Sequence, residues 1–229
     1  MYREFLSARS PLRLLEQGLH GGLGKGNIGV VLAGHGVGKT SFLVGVALDG
    51  LLRGDHVLHV SLGQSVSHTR AYYDTVFGAL ASSSRLDDEA VVRAEVDRRR
   101  SIRAYPEAGF GPGKLREAVK VETEAGCGPG LVILEGFDLG AASKQDVLDM
   151  KAIAGEIEAE LWISFACLGE KVPGIPASIA ELGDAIGVVL ALEPEPDSVA
   201  LRALKEHDNP DVGSLRIALD PRTLLLVRS

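Results

Sequence analysis

Residues 28–40, with the sequence IGVVLAGHGVGKT, constrain the fold of this chain more than any other stretch. An apolar, β-branched run leads into a loop with three alternating glycines, and the loop ends in Gly38-Lys39-Thr40. The apolar residues 41–48 follow directly and have the composition of a buried helix. The order predicts a strand, a phosphate-binding loop and a helix. The alternative is a Gly-rich strand-to-helix turn with an incidental lysine.

The residue types in this phosphate loop (residues 33–40) suit the binding of a triphosphate. Glycines let successive backbone N–H groups turn inward toward negative charge, at the positive end of a helix dipole. Lys39 is expected to reach the β- and γ-phosphate oxygens, and the Thr40 hydroxyl is expected to hold Mg²⁺. Ala33 stands where the strict motif has glycine, so the match is to a relaxed form. The predicted nucleotide-binding residues are Gly34, His35, Gly36, Val37, Gly38, Lys39, Thr40 and Ser41.

Composition restricts the classes of protein. With 229 residues and 45% hydrophobic content, the chain can bury the core of one compact domain. A net charge of -7 gives no general attraction to nucleic acid, although a local basic patch stays open. Cys127 and Cys167 have no metal-ligand spacing and suggest no disulfide framework. No apolar run approaches the roughly 20 residues of a membrane span, and we expect a cytoplasmic protein without membrane contact.

Alternating apolar strands and helices predict an α/β fold with a mostly parallel central sheet, closed by a C-terminal antiparallel β-meander. Residues 1–26 are predicted to form an N-terminal helical arm and turn, with Pro11 as the helix start, and residues 27–229 the nucleotide-binding domain. Ser82-Ser83-Ser84 is expected to break a helix. The predicted helices are 41–53, 67–81, 87–100, 114–125 and 144–160, and the predicted strands after the first are 57–61, 101–105, 131–134, 161–166, 185–192, 198–205, 214–218 and 223–227.

A run of arginines ends the helix predicted at 87–100. Such a run is typical of a solvated face, while a subunit contact and a polyanion contact stay open as alternatives. The arginines are Arg93, Arg98, Arg99 and Arg100.

The order of these motifs resembles the RecA/KaiC-like ATPase family, which includes the cores of RadA-type proteins and DnaB-type helicases. The resemblance implies a three-layer RecA-like P-loop NTPase fold, ATP and Mg²⁺ as cofactors, and self-association. It spans nearly the whole chain, although only the phosphate loop is specific alone. It rests on residues 10–15 with Gly21-Gly22-Leu23, and on residues 33–40, 53–62, 131–135 and 180–184 leading to 201–205.

Two departures from the family affect hydrolysis. The family places a glutamate after the second strand to polarise the attacking water, and Gly63 stands there instead. A base of this kind contributes about 10²–10⁴ in rate. Gln64 is the remaining candidate to orient a water. Glu135 replaces the usual aspartate of the Walker B strand, and Thr40 and Glu135 are the predicted metal ligands. The extra methylene of glutamate is expected to disturb the coordination geometry of Mg²⁺. Asp138 is the alternative ligand.

Two further positions have weakened counterparts of family residues. Residues 164–167, where the family often has a polar γ-phosphate sensor, are largely apolar. Lys205 and His207 stand where the family has a lysine and an arginine that reach a neighbouring subunit's phosphates. A neutral imidazole lacks the fixed bidentate charge of a guanidinium, so transition-state stabilisation is expected to drop. An ordinary hairpin charge is the alternative role for Lys205.

These features predict an ATP-binding protein that hydrolyses slowly or not at all and works as a nucleotide-dependent switch or assembly factor. Lys39, Gln64 and Glu135 are the candidate catalytic residues. The expected partners are ATP and ADP, together with further copies of the chain or a partner protein. One alternative is an active DNA-dependent ATPase of the recombinase or helicase type; another is an interaction module that no longer binds nucleotide.

Overall fold

The computed structural model describes residues 12–169, 171–209, 212 and 215–228. The first 11 residues of the predicted arm, including Pro11, lie outside the described residues. So does Ser214, the first residue of a predicted strand. Within them, strands and helices alternate along the first two thirds of the chain. The elements are α1 (Leu12–Gly18), β1 (Ile28–Ala33), α2 (Lys39–Arg53), β2 (Val57–Leu62), α3 (Val66–Ser84), α4 (Glu89–Arg99), β3 (Arg100–Tyr105), α5 (Pro112–Glu124), β4 (Leu131–Glu135), α6 (Lys144–Glu156), β5 (Glu160–Ala166), α7 (Ala177–Ala180), β6 (Ile186–Pro194), β7 (Val199–Glu206), β8 (Ile217–Leu219) and β9 (Leu226–Arg228).

The described strands form one nine-stranded sheet in the order β3-β2-β4-β5-β1-β6-β7-β8-β9. Every pairing from β3 to β6 is parallel, and β6, β7, β8 and β9 pair antiparallel in succession. The predicted mostly parallel sheet and C-terminal antiparallel meander are therefore confirmed. The carboxyl ends of the parallel strands meet at one edge, where open α/β sheets bind their ligands.

Helices pack against both faces of the sheet, so its inner strands are buried on both sides. All six residues of β1 are buried, which explains its unbroken apolar sequence. One core contains residues of α2, α3 and α4, and the other contains residues of α5 and α6. Trp162 of β5 is 2% exposed and meets the edge of Phe42 at 6.1 Å between ring centroids, within the first of these cores. The arm contributes Leu15 and Leu19 to the first core.

The serine triplet does not break α3, and this prediction is wrong. The helix continues through all three residues and ends at Ser84, followed by Arg85 as its C-cap with a left-handed φ of 52°. The hydroxyls of Ser83 and Ser84 donate to the carbonyl of Leu80. These bonds turn the serines back onto the helix instead of offering the backbone another partner.

Other boundaries shift by a few residues. Helix α6 ends at Glu156, four residues before its predicted end, because Glu158 adopts a left-handed φ of 50° before β5 begins. The sequence did not predict the short α7. The last two strands begin later than predicted, at Ile217 and Leu226. In the described part of the chain, no helix is both long and apolar enough to cross a bilayer.

Candidate functional site

A cavity of about 960 Å³ opens at the carboxyl ends of the parallel strands. Its floor is the phosphate loop, and one wall is apolar and comes from the C-terminal meander and its turns. The wall residues are Pro194, Val199, Leu219, Pro221 and Leu224. The size suits a nucleotide-sized ligand, since ligand pockets measure about 300–1,000 Å³. Polar groups facing the cavity include Lys39, Thr40, Gln64, Glu107 and Glu135.

Gly38 closes the phosphate loop at the start of α2 and must be glycine for two reasons. Its φ is 117°, a backbone conformation that L side chains rarely adopt. A Cβ there would also lie 2.6 Å from Cδ2 of Leu219 in β8. Gly38 gives α2 no side-chain cap, so the first-turn N–H groups stay available to an anion.

Lys39 bends back over the loop from which it projects. Its Nζ donates to the carbonyl oxygens of Ala33 at 3.1 Å and Gly34 at 2.7 Å. Burial lowers the pKa of the Lys39 ammonium, and the nearby Cys167 and Glu135 act in the opposite direction. Among the described residues, the hydrogen-bond partners of this partly desolvated cation are the two loop carbonyls. An incoming anion is a stronger partner than these carbonyls.

Thr40 and Glu135 meet across the cavity floor. The Thr40 hydroxyl donates to Oε1 of Glu135 at 2.8 Å. The added methylene of Glu135, expected to disturb a metal site, lets the carboxylate at the end of β4 reach the first turn of α2. In the described residues, no group of three or more His, Cys, Asp or Glu side chains could hold a metal. A hydroxyl and one carboxylate fit Mg²⁺, which takes few protein ligands and fills its octahedron with water and phosphate oxygens.

Asp138, the alternative metal ligand, also lines the cavity. Its Oδ1 accepts from the backbone N–H groups of Gly140 at 3.0 Å and Ala141 at 3.2 Å. The carboxylate therefore caps its own turn, and Glu135 is the better placed of the two because it already contacts Thr40.

His59 is a site residue that sequence reasoning missed. His59 is fully buried in β2. Its Nε2 lies 2.9 Å from Oε2 of Glu135, and its Nδ1 lies 3.1 Å from the Tyr73 hydroxyl. Burial raises the pKa of Tyr73, so this phenol stays protonated and donates to Nδ1. The Nε2–H then donates to Glu135, a tautomer assigned from the network. A histidine within an otherwise apolar strand was the available signal.

Glu107 is a second acidic residue that the sequence did not single out. It follows β3, lines the cavity, and lies against Gly63, where the family glutamate is missing. A Cβ on Gly63 would be 2.3 Å from Oε1 of Glu107, so the carboxylate occupies the space into which a residue 63 side chain would project. The predicted catalytic residue Gln64 is exposed beside it at the cavity rim.

Lys205 and His207 contact their own chain. Lys205 Nζ donates to the carbonyls of Gly183 and Ile186, and His207 Nε2 lies 3.3 Å from the carbonyl oxygen of Gly22. The predicted role toward a neighbouring subunit stays a prediction, and it requires both side chains to leave these partners. At the weakened sensor position, Ser164 Oγ accepts from the Gly136 N–H at 3.4 Å.

The arginine run is largely engaged within the chain. Arg99 donates to the carbonyl of Gly54 at 2.7 Å, and Arg100 pairs with Asp97 and stacks on the Tyr73 ring. Arg98 is exposed. The run therefore offers less free positive charge than its sequence suggests.

The sequence matches no protein-family model, and no curated protein matches it either. The functional conclusion therefore depends on the chemistry of the cavity.

Proposed function

We propose that this chain binds ATP together with Mg²⁺ in the cavity at the strand ends, in a RecA/KaiC-like P-loop fold, and hydrolyses it slowly. The observation that carries the proposal is the convergence of Lys39, Thr40 and Glu135 in one cavity. Lys39 Nζ lies over the loop carbonyls, and the Thr40 hydroxyl contacts Glu135 at 2.8 Å. A cation for phosphate oxygens and a hard oxygen pair for a metal are the two requirements of a nucleoside triphosphate site.

The electrostatics of Lys39 favour a polyanion. Its ammonium is partly buried, and burial lowers its pKa. Phosphate oxygens favour the charged form of the ammonium and restore the pKa toward its ordinary value. The uncapped first turn of α2 adds backbone N–H donors beside it. Binding of a polyanion at this loop therefore relieves the desolvation penalty that the Lys39 ammonium carries in the free protein.

Thr40 and Glu135 would hold Mg²⁺ against the phosphates. The metal neutralises charge on the β- and γ-phosphate oxygens when it is bound. The protein's part is to fix the two oxygen ligands, and His59 holds Glu135 from the opposite side at 2.9 Å. Outer hydrogen bonds of this kind orient a metal ligand.

Slow turnover is proposed because the family groups that accelerate hydrolysis are replaced. Gly63 has no side chain, and His207 supplies no guanidinium. Occupancy of the cavity then matters more than the rate of cleavage. A γ-phosphate can order loops or close an interface without being cleaved, so we propose a nucleotide-dependent switch or assembly role with further copies of the chain or a partner protein.

Isothermal titration calorimetry tests the proposal. ATP, ADP and GTP are titrated with and without Mg²⁺, and phosphate release is measured on the same sample. We expect Mg²⁺·ATP to bind and Lys39→Ala to weaken binding at least about tenfold, since a charge-assisted contact is worth about 1.5–3 kcal/mol. The matched control is Lys25→Ala at an exposed lysine outside the cavity. Failure of ATP to bind at millimolar concentration would favour the interaction module without nucleotide.

The DNA-dependent ATPase remains the second candidate, and one observation bears on it. Arg98 is the exposed member of a run whose neighbours Arg99 and Arg100 contact their own chain. Salt-dependent binding of single-stranded DNA, lost in Arg98→Ala, would support this candidate.

A further inference from the structure

We propose that Glu107 is the general base for hydrolysis in this cavity, in place of the side chain that position 63 lacks. The inference rests on the proposed binding of Mg²⁺·ATP and adds a catalytic residue to it; turnover stays slow because His207 supplies no guanidinium. It starts from the position of the Glu107 carboxylate, whose Oε1, Cδ and Cγ would lie 2.3, 3.0 and 3.1 Å from a Cβ on Gly63.

The backbone places Glu107 at this point by pairing β3 with β2. The two strands are parallel, with Leu62 opposite Tyr105, and the Gly63 N–H donates to the Tyr105 carbonyl at 3.0 Å. Glu107 follows two residues later. Its side chain folds over Gly63, whose φ of 75° is left-handed. A side chain at 63 would therefore displace the Glu107 carboxylate from its present position.

The carboxylate of Glu107 is also free to react. Glu135 accepts from Thr40 and contacts His59, and Asp138 accepts from two backbone N–H groups. Glu107 lines the same cavity, and within the described ranges its side chain has no hydrogen-bond or ion-pair partner. It is thus the cavity carboxylate left to accept a proton.

An unpaired carboxylate in an anion-binding cavity opposes the binding of a triphosphate. Between like unit charges a few ångströms apart in water, this repulsion weakens binding by roughly threefold. A residue that weakens ground-state binding can still increase the rate if it acts only in the transition state. A base beside the γ-phosphate does this, because it gains a proton as the water attacks.

The step is balanced as follows. The water oxygen forms a bond to the γ-phosphorus, and the bond from that phosphorus to the β–γ bridging oxygen breaks. ADP leaves with the electron pair, and the proton of the water passes to the Glu107 carboxylate. Groups in this role contribute about 10²–10⁴ in rate.

The test is Glu107→Gln in the full chain, with turnover and affinity measured separately. Single-turnover phosphate release uses protein in excess over ATP, and calorimetry gives the affinity for Mg²⁺·ATP. We expect the rate to fall at least about 100-fold or below detection, while affinity stays equal or rises about threefold. Loss of a merely structural glutamate would lower both the rate and the affinity, so a fall in rate without a fall in affinity marks a catalytic role. The matched control is Glu117→Gln, an exposed glutamate of α5 outside the cavity, which should change neither.

A second variant tests the pairing with Gly63. Gly63→Ala should displace the carboxylate and slow release, and adding Glu107→Gln to it should cause little further loss, because both changes remove one interaction.

Three outcomes would overturn the inference. The first is wild-type release in Glu107→Gln, with the rate lost in Gln64→Ala instead. The second is a joint loss of rate and affinity, which marks a ligating or structural role. The third is release by the wild-type chain no faster than by Lys39→Ala; the affinity for Mg²⁺·ATP then decides the proposed function independently.

Discussion

Nε2 of His59 lies 2.9 Å from Oε2 of Glu135, so a fully buried imidazole holds the carboxylate that we assign to Mg²⁺. The other ring nitrogen contacts the Tyr73 hydroxyl at 3.1 Å. This chain of three side chains links the cavity floor to α3.

We expect His59→Ala to destabilise the protein by about 2–4 kcal/mol. The change opens a cavity in the core and leaves the Tyr73 hydroxyl and one oxygen of Glu135 without their partner. Thermal and denaturant unfolding measure the loss. His56→Ala, at a half-buried histidine just before β2, should stay within about 1 kcal/mol of wild type. Equal stability of the two variants would show that the network contributes nothing.

Thr40→Val should remove the contribution of Mg²⁺ to ATP affinity and leave the contribution of the phosphate contacts in place. Valine keeps the shape and lacks the hydroxyl that donates to Glu135. We expect the gain in ATP affinity on adding Mg²⁺ to shrink about tenfold or more, and affinity without Mg²⁺ to hold. Calorimetry in magnesium and in chelator measures both. Thr75→Val is the control, because that exposed hydroxyl donates to the Ala71 carbonyl of its own helix at 2.9 Å. An intact magnesium effect in Thr40→Val would remove Thr40 from the metal site.

Two glycines of one region should respond to alanine in opposite directions. Gly38→Ala forces a φ of 117° on an L residue and drives its Cβ toward Leu219, so we expect a loss of about 1–3 kcal/mol. Gly45→Ala, inside α2 with open space around it, should gain about 0.5–1 kcal/mol. Chemical denaturation compares the pair. A neutral Gly38→Ala would mean that the loop relaxes without strain.

Glu160 should make stability depend on pH. Burial raises the pKa of this carboxyl above its ordinary value, although the Trp162 N–H donates to it at 3.3 Å. The folded state therefore holds the proton more tightly than the unfolded state, and the stabilisation present below the unfolded pKa is lost as pH rises through the folded pKa. Glu160→Gln should melt higher than wild type near pH 7.5, and the difference should vanish below about pH 4.

Melting curves across this range provide the measurement. Glu158→Gln, at the exposed glutamate two residues earlier, should show no such trend. A constant difference between Glu160→Gln and wild type at every pH would assign the effect to packing.

The sequence predicted those parts of the fold that local chemistry decides. The apolar run of β1 and the Gly38-Lys39-Thr40 ending predicted the strand, loop and helix, and the structure has them at Ile28–Ala33 and Lys39–Arg53. The alternation of apolar strands and helices predicted a mostly parallel sheet. Serine's preference for turns failed at α3, since the hydroxyls found helix carbonyls instead.

The acidic side of the site could not be predicted, because it depends on strand order. His59 reaches Glu135 because β2 and β4 are neighbours in the sheet although 76 positions separate the two residues. Glu107 reaches Gly63 because β3 lies on the other side of β2. No local pattern encodes either contact. Position 63 has no carboxylate, and the carboxylate of Glu107, which follows β3, occupies the space beside it.

The contact between Leu219 and Gly38 can form only after β8 has been synthesised. The phosphate loop leaves the ribosome early, and β8 follows some 180 positions later. Strand β8 supplies Leu219, whose Cδ2 would lie 2.6 Å from a Cβ on Gly38. A nascent chain stalled before Leu219 displays the loop without its apolar wall. Under the proposed function, we therefore expect nucleotide capture to follow the synthesis of β8.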